Sequence, residues 1–193
     1  KALIVPHAGY VYSAPIAASA YVRIRPLASV IRCVVLLGPS HRVHVEGLAT
    51  SSADTFATPL GEIPLDRDAI ARALELPQVR LLDAAHLHEH SLEVQLPFLQ
   101  QVLGAFSLVP FSVGDASVAE VAEVIELLWG GEETLFVISS DLSHYYDYES
   151  ARSLDRVTTA AIEALRAEGL DEQSACGRVP VRGLLVGARH HGL

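Results

Sequence analysis

Three histidines in this chain stand in the same local context. Each follows an apolar, strand-like run and sits in a tight turn: Val5-Pro6-His7, Leu37-Gly38-Pro39-Ser40-His41 and Ile138-Ser139-Ser140-Asp141-Leu142-Ser143-His144. Neutral imidazole is the commonest protein ligand for metal ions, and its charge changes nearest neutral pH. The repeated pattern therefore reads as a metal site or as a general acid/base site. A late, solitary thiol is the fourth member. Cys176 lies in a Cys-Gly-Arg turn just ahead of a helix N-terminus, where partial positive charge favours thiolate. A thiolate is a strong, soft ligand for zinc, iron or copper. It has no Cys-x-x-Cys partner, which excludes a zinc ribbon. Cys33 falls inside a strand-like run and reads as a small buried hydrophobe.

Other polar residues surround these four. Asp141, just before His144, is placed to orient that imidazole or to cap the following turn. In His86-Leu87-His88-Glu89-His90 the histidines alternate, so they cannot all share one helix face. His90 and Glu93 can share one and are assigned to the surroundings of the site, with Glu89 or Ser91 as a cap. Tyr10 and Tyr12 flank the His7 turn. Other chemistries are absent: Lys1 is the only lysine, so there is no phosphate-binding P-loop, and neither a Gly-x-Ser-x-Gly elbow nor a Gly-x-Gly-x-x-Gly turn occurs.

To bring such distant residues together, the elements between them must return to one edge. Lys1–Val5, Arg32–Leu37, Ser107–Val113 and Thr134–Ser139 are apolar runs that predict buried strands. Ser13 as N-cap and Pro15 near the first turn predict a helix over Ala14–Arg23. Between Val45 and Pro64 we expect loop and a hairpin. Asp66 should cap a helix reaching Leu76. Leu92, Leu96, Leu99 and Leu103 mark a helix from about His88, kinked or interrupted by Pro97. Val118, Val121, Ile125 and Leu128 mark another. Leu154, Val157, Ala161 and Leu165 mark a long one ended by Gly169, and a last helix follows Pro180. Alternation of strand and helix predicts an α/β fold with a mostly parallel, covered sheet. Ligands of such sheets bind beyond the carboxyl ends of the strands, where the three histidines lie.

Composition narrows the function classes. Half of the 193 residues are hydrophobic, which excludes a disordered chain. Fourteen Lys and Arg against 23 Asp and Glu give a net charge of −9, so no broad basic surface exists for nucleic acid. The longest apolar runs fall far short of the ~18 to 20 residues of a membrane span. Two cysteines make no disulfide framework, and a reducing, cytoplasmic setting is expected. The absence of Met and the opening in mid-strand suggest an internal portion of a longer protein.

Taken as a set, five segments resemble the signatures of the MEMO family, whose prokaryotic members are called AmmeMemoRadiSam system protein B. They are Pro6-His7-Ala8-Gly9-Tyr10, Leu37-Gly38-Pro39-Ser40-His41, Glu89-His90-Ser91-Leu92-Glu93-Val94-Gln95-Leu96-Pro97, Ser139-Ser140-Asp141-Leu142-Ser143-His144 and Cys176-Gly177-Arg178. The resemblance implies a three-layer α/β/α fold around a mostly parallel mixed sheet, like that of the class III extradiol (LigB-type) dioxygenases and phosphorylase/hydrolase-like in layout. It implies His7, His41 and Cys176 as metal ligands. It implies His144 as an acid/base group in the same pocket, with Asp141 and His90 tuning the site. Iron(II) is the expected cofactor, with copper or zinc as alternatives.

The implied function is a non-haem-iron oxygenase-type or redox metalloenzyme. One departure is chemical: the oxygenase triad is two His and a carboxylate, whereas the third ligand here is a thiolate. The alternative readings are a non-catalytic binding or scaffold protein and a zinc-dependent hydrolase. The expected partners are a small-molecule or peptide ligand in the pocket, and radical-SAM and AMMECR1-type proteins. Residues 1–193 read as one MEMO-like domain lacking native N- and C-terminal segments.

Overall fold

The apolar runs form the middle of a six-stranded sheet. The computed structural model describes all residues, Lys1–Leu193. Its strands are β1 (Ala2–Val5), β2 (Cys33–Pro39), β3 (Leu48–Thr50), β4 (Thr55–Thr58), β5 (Gly61–Pro64), β6 (Val79–Leu81), β7 (Ser107–Val113) and β8 (Thr134–Ser139). Its helices are α1 (Tyr10–Tyr21), α2 (Arg67–Ala73), α3 (Ala84–Leu87), α4 (His90–Glu93), α5 (Leu96–Leu103), α6 (Val118–Leu127), α7 (Tyr148–Glu163) and α8 (Arg178–His190). The sheet order is β1-β8-β2-β7-β3-β6, and β4 and β5 make the expected hairpin apart from it. Every pairing in the large sheet is parallel except β3 with β7. The strands β2, β7 and β8 are buried almost throughout because helices cover both faces, giving three α/β/α layers.

The order of strands positions the chemistry. β1, β8 and β2 are neighbours and run the same way, with Val5 beside Ser139 and Leu37 beside Ile138. Their carboxyl ends, and the turns carrying His7, His144 and His41, therefore emerge along one edge. Beneath them a core of 39 buried side chains fixes the strands. No helix is long and apolar enough to cross a membrane.

Local structure differs from expectation at helix ends: α7 stops at Glu163, short of Gly169, and α8 starts at Arg178, ahead of Pro180. It differs more consequentially in three further places. Helix α1 starts at Tyr10, before Ser13, and no side chain caps it. Ser13 is buried inside the helix and donates its hydroxyl to the Ala8 carbonyl, which pulls the His7 turn against the first helical turn. The helix expected from His88 is broken into α4 and α5, and Pro97 sits in the first turn of α5, where a missing N–H costs nothing. Val79–Leu81 is a strand on the sheet's far edge, too short to show a periodicity in sequence. Elsewhere the caps are those the residues suggest: Asp66 accepts from the Ala69 N–H, and Ser117 and Glu120 form a capping box on α6.

Candidate metal centre

His7 is 2% exposed, and its ring is held from one side. Its Nδ1 lies 2.9 Å from Ser139 Oγ. That hydroxyl gives its only proton to the Ser91 carbonyl and accepts from Gln95 Nε2 at 2.8 Å. Facing an oxygen that can only accept, Nδ1 must be the protonated nitrogen of the neutral ring. The Nε2 lone pair is left to face Cys176 Sγ, 3.4 Å away. Gln95 is fixed in turn by the Pro6 carbonyl and by the hydroxyl of buried Tyr21.

His41 is arranged by the same logic with a carboxylate. Its Nδ1 is 3.0 Å from Glu89 Oε1, and its backbone N–H donates to Glu89 Oε2. Glu89 also caps α4 by accepting from the Ser91 N–H at 2.9 Å. Burial opposes ionisation of this carboxyl, but the bonds from His41 and Ser91 outweigh it and bring its pKa down to about 2. An ionised Glu89 requires a proton on His41 Nδ1, so Nε2 is again the outward nitrogen. This is the carboxylate–histidine arrangement found behind many metal-bound imidazoles.

Cys176 reaches the two rings from the other end of the chain, 169 residues from His7. It precedes Gly177, the N-cap of α8. The backbone there is tied to the end of β8: Cys176 N–H donates to the Asp141 carbonyl and Gly177 N–H to Ser140 Oγ at 2.9 Å. A Cβ on Gly177 would lie 2.7 Å from Ser140 Cβ and 2.9 Å from the Ser139 carbonyl oxygen, so only glycine permits this approach. The Asp141 N–H donates to Sγ at 3.3 Å. Burial pushes the thiol up, yet hydrogen bonds from His41 and His7 bring it down to about 6. Reciprocally, the bonds to Cys176 and Glu89 raise His41 to about 9.

One donor atom from each of His7, His41 and Cys176 lies within 4.8 Å of the others. Two imidazole lone pairs directed at a thiolate repel one another unless a proton or a cation lies among them. The donor set is two imidazoles and one thiolate, leaving coordination positions for other ligands, and it fits zinc, iron(II) or copper. His41, Glu89 and His90 form a second set within the same limit. There, however, the Glu89 oxygens are already engaged by His41 and by the Ser91 N–H.

The remaining expected residues line the same cavity, of about 420 Å³, formed by His7, His41, Arg42, His90, Asp141, His144, Tyr145 and Cys176. His90 is closer than a surrounding role implied: its ring centroid lies 5.7 Å from those of both His7 and His41. His144 sits on the exposed loop after β8 and no hydrogen bond fixes its ring. Asp141 does not orient it. Its Oδ1 accepts from the His7 N–H at 2.8 Å and the Ala8 N–H at 3.1 Å, clamping the first turn to the third. Glu93 is exposed and lies outside this cavity. The sequence reading took Glu89 only as a cap and missed Ser139, Gln95, Arg42 and Tyr145. Glu89 was the one with a signal, as a carboxylate directly beside His90 in a polar turn.

The profile of the family described as Memo-like protein matches residues 1–192. Curated relatives described as MEMO1 family proteins include one from Aquifex aeolicus, 39% identical over 191 residues (93% of this chain, 70% of that protein). One from Methanococcoides burtonii is 36% identical over 203 residues (98% and 74%). Among solved structures, an uncharacterized protein, JW3007, from Escherichia coli K12 superposes with a TM-score of 0.64 at 16% identity, covering 96% of this chain and 88% of that one. At that identity the likeness is one of fold.

Proposed function

The chain belongs to the Memo-like protein family, and from that premise we propose that it is a metalloenzyme of oxygenase or redox type, with iron(II) held by His7, His41 and Cys176. The observation that supports this most is the orientation of the two imidazoles. Each has its Nδ1 proton committed to a fixed acceptor, Ser139 or Glu89, and its other nitrogen turned toward the same sulfur. Such locking lowers the cost of assembling the site, because neither ring has to change tautomer to bind.

A ferrous ion would supply one-electron chemistry with O₂ and open positions for a substrate. The protein's own groups do the rest. Cys176 would hold the metal as a thiolate where the oxygenase triad has a carboxylate, and would supply softer, more electron-rich ligation. His144, unrestrained on its loop, is the group free to take or return a proton at the open side of the cavity. His90 narrows that side, and Asp141 keeps the His7 turn in register. We place the protein in the cytoplasm, acting on a small molecule.

Anaerobic titration of the purified protein with Fe(II), beside elemental analysis of protein prepared without added metal, tests the reading. We expect one metal per chain, lost in His7→Ala and in Cys176→Ala and retained in Cys33→Ala. Undiminished iron binding in the first two variants would overturn it. Zinc alone at one per chain, with hydrolytic turnover, would favour the hydrolase reading.

A further inference from the structure

We propose that Arg42 anchors the ligand of this cavity and that the ligand is a small organic carboxylate with a flat apolar body; this rests on the cavity being the functional site. Arg42 directly follows His41 and lines the same cavity. It is exposed, and its guanidinium makes no hydrogen bond or ion pair within the protein. Other arginines, Arg23, Arg152 and Arg156 among them, are also unpaired; what sets Arg42 apart is that it lines this cavity. The one carboxylate lining the cavity, Asp141, has Oδ1 occupied by two backbone N–H groups and Oδ2 3.8 Å from His7 Nε2, and it makes no ion pair with Arg42. The wall therefore offers a permanent cation with no counter-ion, in a protein whose net charge is −9.

The donors present select a carboxylate over a phosphate. A guanidinium fork matches a planar carboxylate with two parallel hydrogen bonds. Phosphates are usually cradled by several backbone N–H groups or a helix N-terminus. Here those amides are taken: His7 and Ala8 by Asp141 Oδ1, Cys176 by the Asp141 carbonyl, and Gly177 by Ser140 Oγ. His41 is already paired with Glu89 and Cys176, so a dianion would meet one unpaired cation, with a thiolate nearby.

Tyr145 supplies the apolar side. It adopts a left-handed backbone, φ 63°, at a position where Gly or Asn is usual, at a cost of roughly 1–2 kcal/mol. Its side chain is fully exposed, and its ring centroid lies 5.9 Å from that of His144. Strained residues of this kind cluster at ligand and active sites, and Tyr145, unlike the core-packed Leu165, stands at a cavity. The cavity, about 420 Å³, has room for roughly a dozen non-hydrogen atoms. A carboxylate on Arg42 would leave a flat body to lie along the exposed face of Tyr145, on the open side of the cavity that Arg42, His144 and Tyr145 line together.

Calorimetric titration with benzoate, with its neutral counterpart benzyl alcohol, and with inorganic phosphate tests this, on metal-free protein and on protein given one equivalent of zinc. Benzoate should bind wild type about tenfold more tightly than benzyl alcohol does. Arg42→Gln should erase that advantage, and Arg42→Lys, which keeps charge without the fork, should restore part of it. Benzoate affinity within twofold of wild type in Arg42→Gln would overturn the anchor. Phosphate binding more tightly than benzoate would overturn the carboxylate. Failure of the protein to bind either Fe(II) or zinc at one per chain would sink the metal reading alone, because the Arg42 contrast is also read without metal.

Discussion

Strand β2 opens onto a cavity at each end, and each cavity holds one of the two cysteines. At its first residue, Cys33 lines a cavity of about 540 Å³ with Arg32, Asp66, Ser107 and Glu133 among the walls. Past its last residues lies the smaller cavity, about 420 Å³, lined by four histidines and Cys176. Both thiols are half-buried. Burial and the charge of Asp66 push Cys33 up to about 11, whereas the imidazoles of His41 and His7 overcome burial and draw Cys176 down to about 6. Neighbours, not volume or exposure, separate the two. The imidazoles gather at the carboxyl edge because three parallel neighbours, β1, β8 and β2, release their loops there; the amino edge has no such convergence.

The contrast is sharpest in thiol reactivity. In metal-free protein, the pH profile of alkylation by iodoacetamide, read site by site by mass spectrometry, should have its midpoint near 6 for Cys176 and near 11 for Cys33. Coincident midpoints would break the comparison. His41→Ala should move only the first, upward.

A smaller effect tests what stands behind the imidazoles. Glu89→Gln should weaken metal binding about 10- to 100-fold, measured against a competing chelator, by releasing His41. The same carboxylate adds an acid-sensitive contribution to stability. Its pKa falls from an ordinary 4.5 to about 2 on folding, so the contribution is complete above pH 4.5 and is lost as pH falls toward 2. The stability gap between wild type and Glu89→Gln should close over that interval in chemical denaturation; a gap that widens there would contradict the assignment.

The smallest expected effect is at Ser139, the hub beneath His7. Ser139→Ala leaves His7 Nδ1 and the Ser91 carbonyl without their partner and should cost about 1–3 kcal/mol of stability. Thermal unfolding checks it. An unchanged melting temperature would mean that water replaces the hydroxyl, and that the His7 tautomer is not set there.

Much of this arrangement was readable from residue order. Apolar runs ending in Pro, Gly or Ser turns marked the strands and their histidines, because a strand buried on both faces needs uninterrupted apolar residues and its exit needs turn chemistry. Helix boundaries were less readable. Ser13 looked like a cap but serves as a buried tether to Ala8, and Leu92 through Leu103 shared a periodicity across a break at Pro97.

By itself, the sequence determined the types of donor at the site, the turns that hold them and the strands that lead there, since these follow from local periodicity and backbone preference. Tertiary structure alone decided that the thiol from near the far end of the chain meets His7, that Glu89 and Ser139 choose the proton-bearing nitrogen of each imidazole, and that Arg42 is left without a partner. These are contacts between residues far apart in the chain, and hydrogen-bond direction depends on what a group faces in space rather than on its neighbours in sequence.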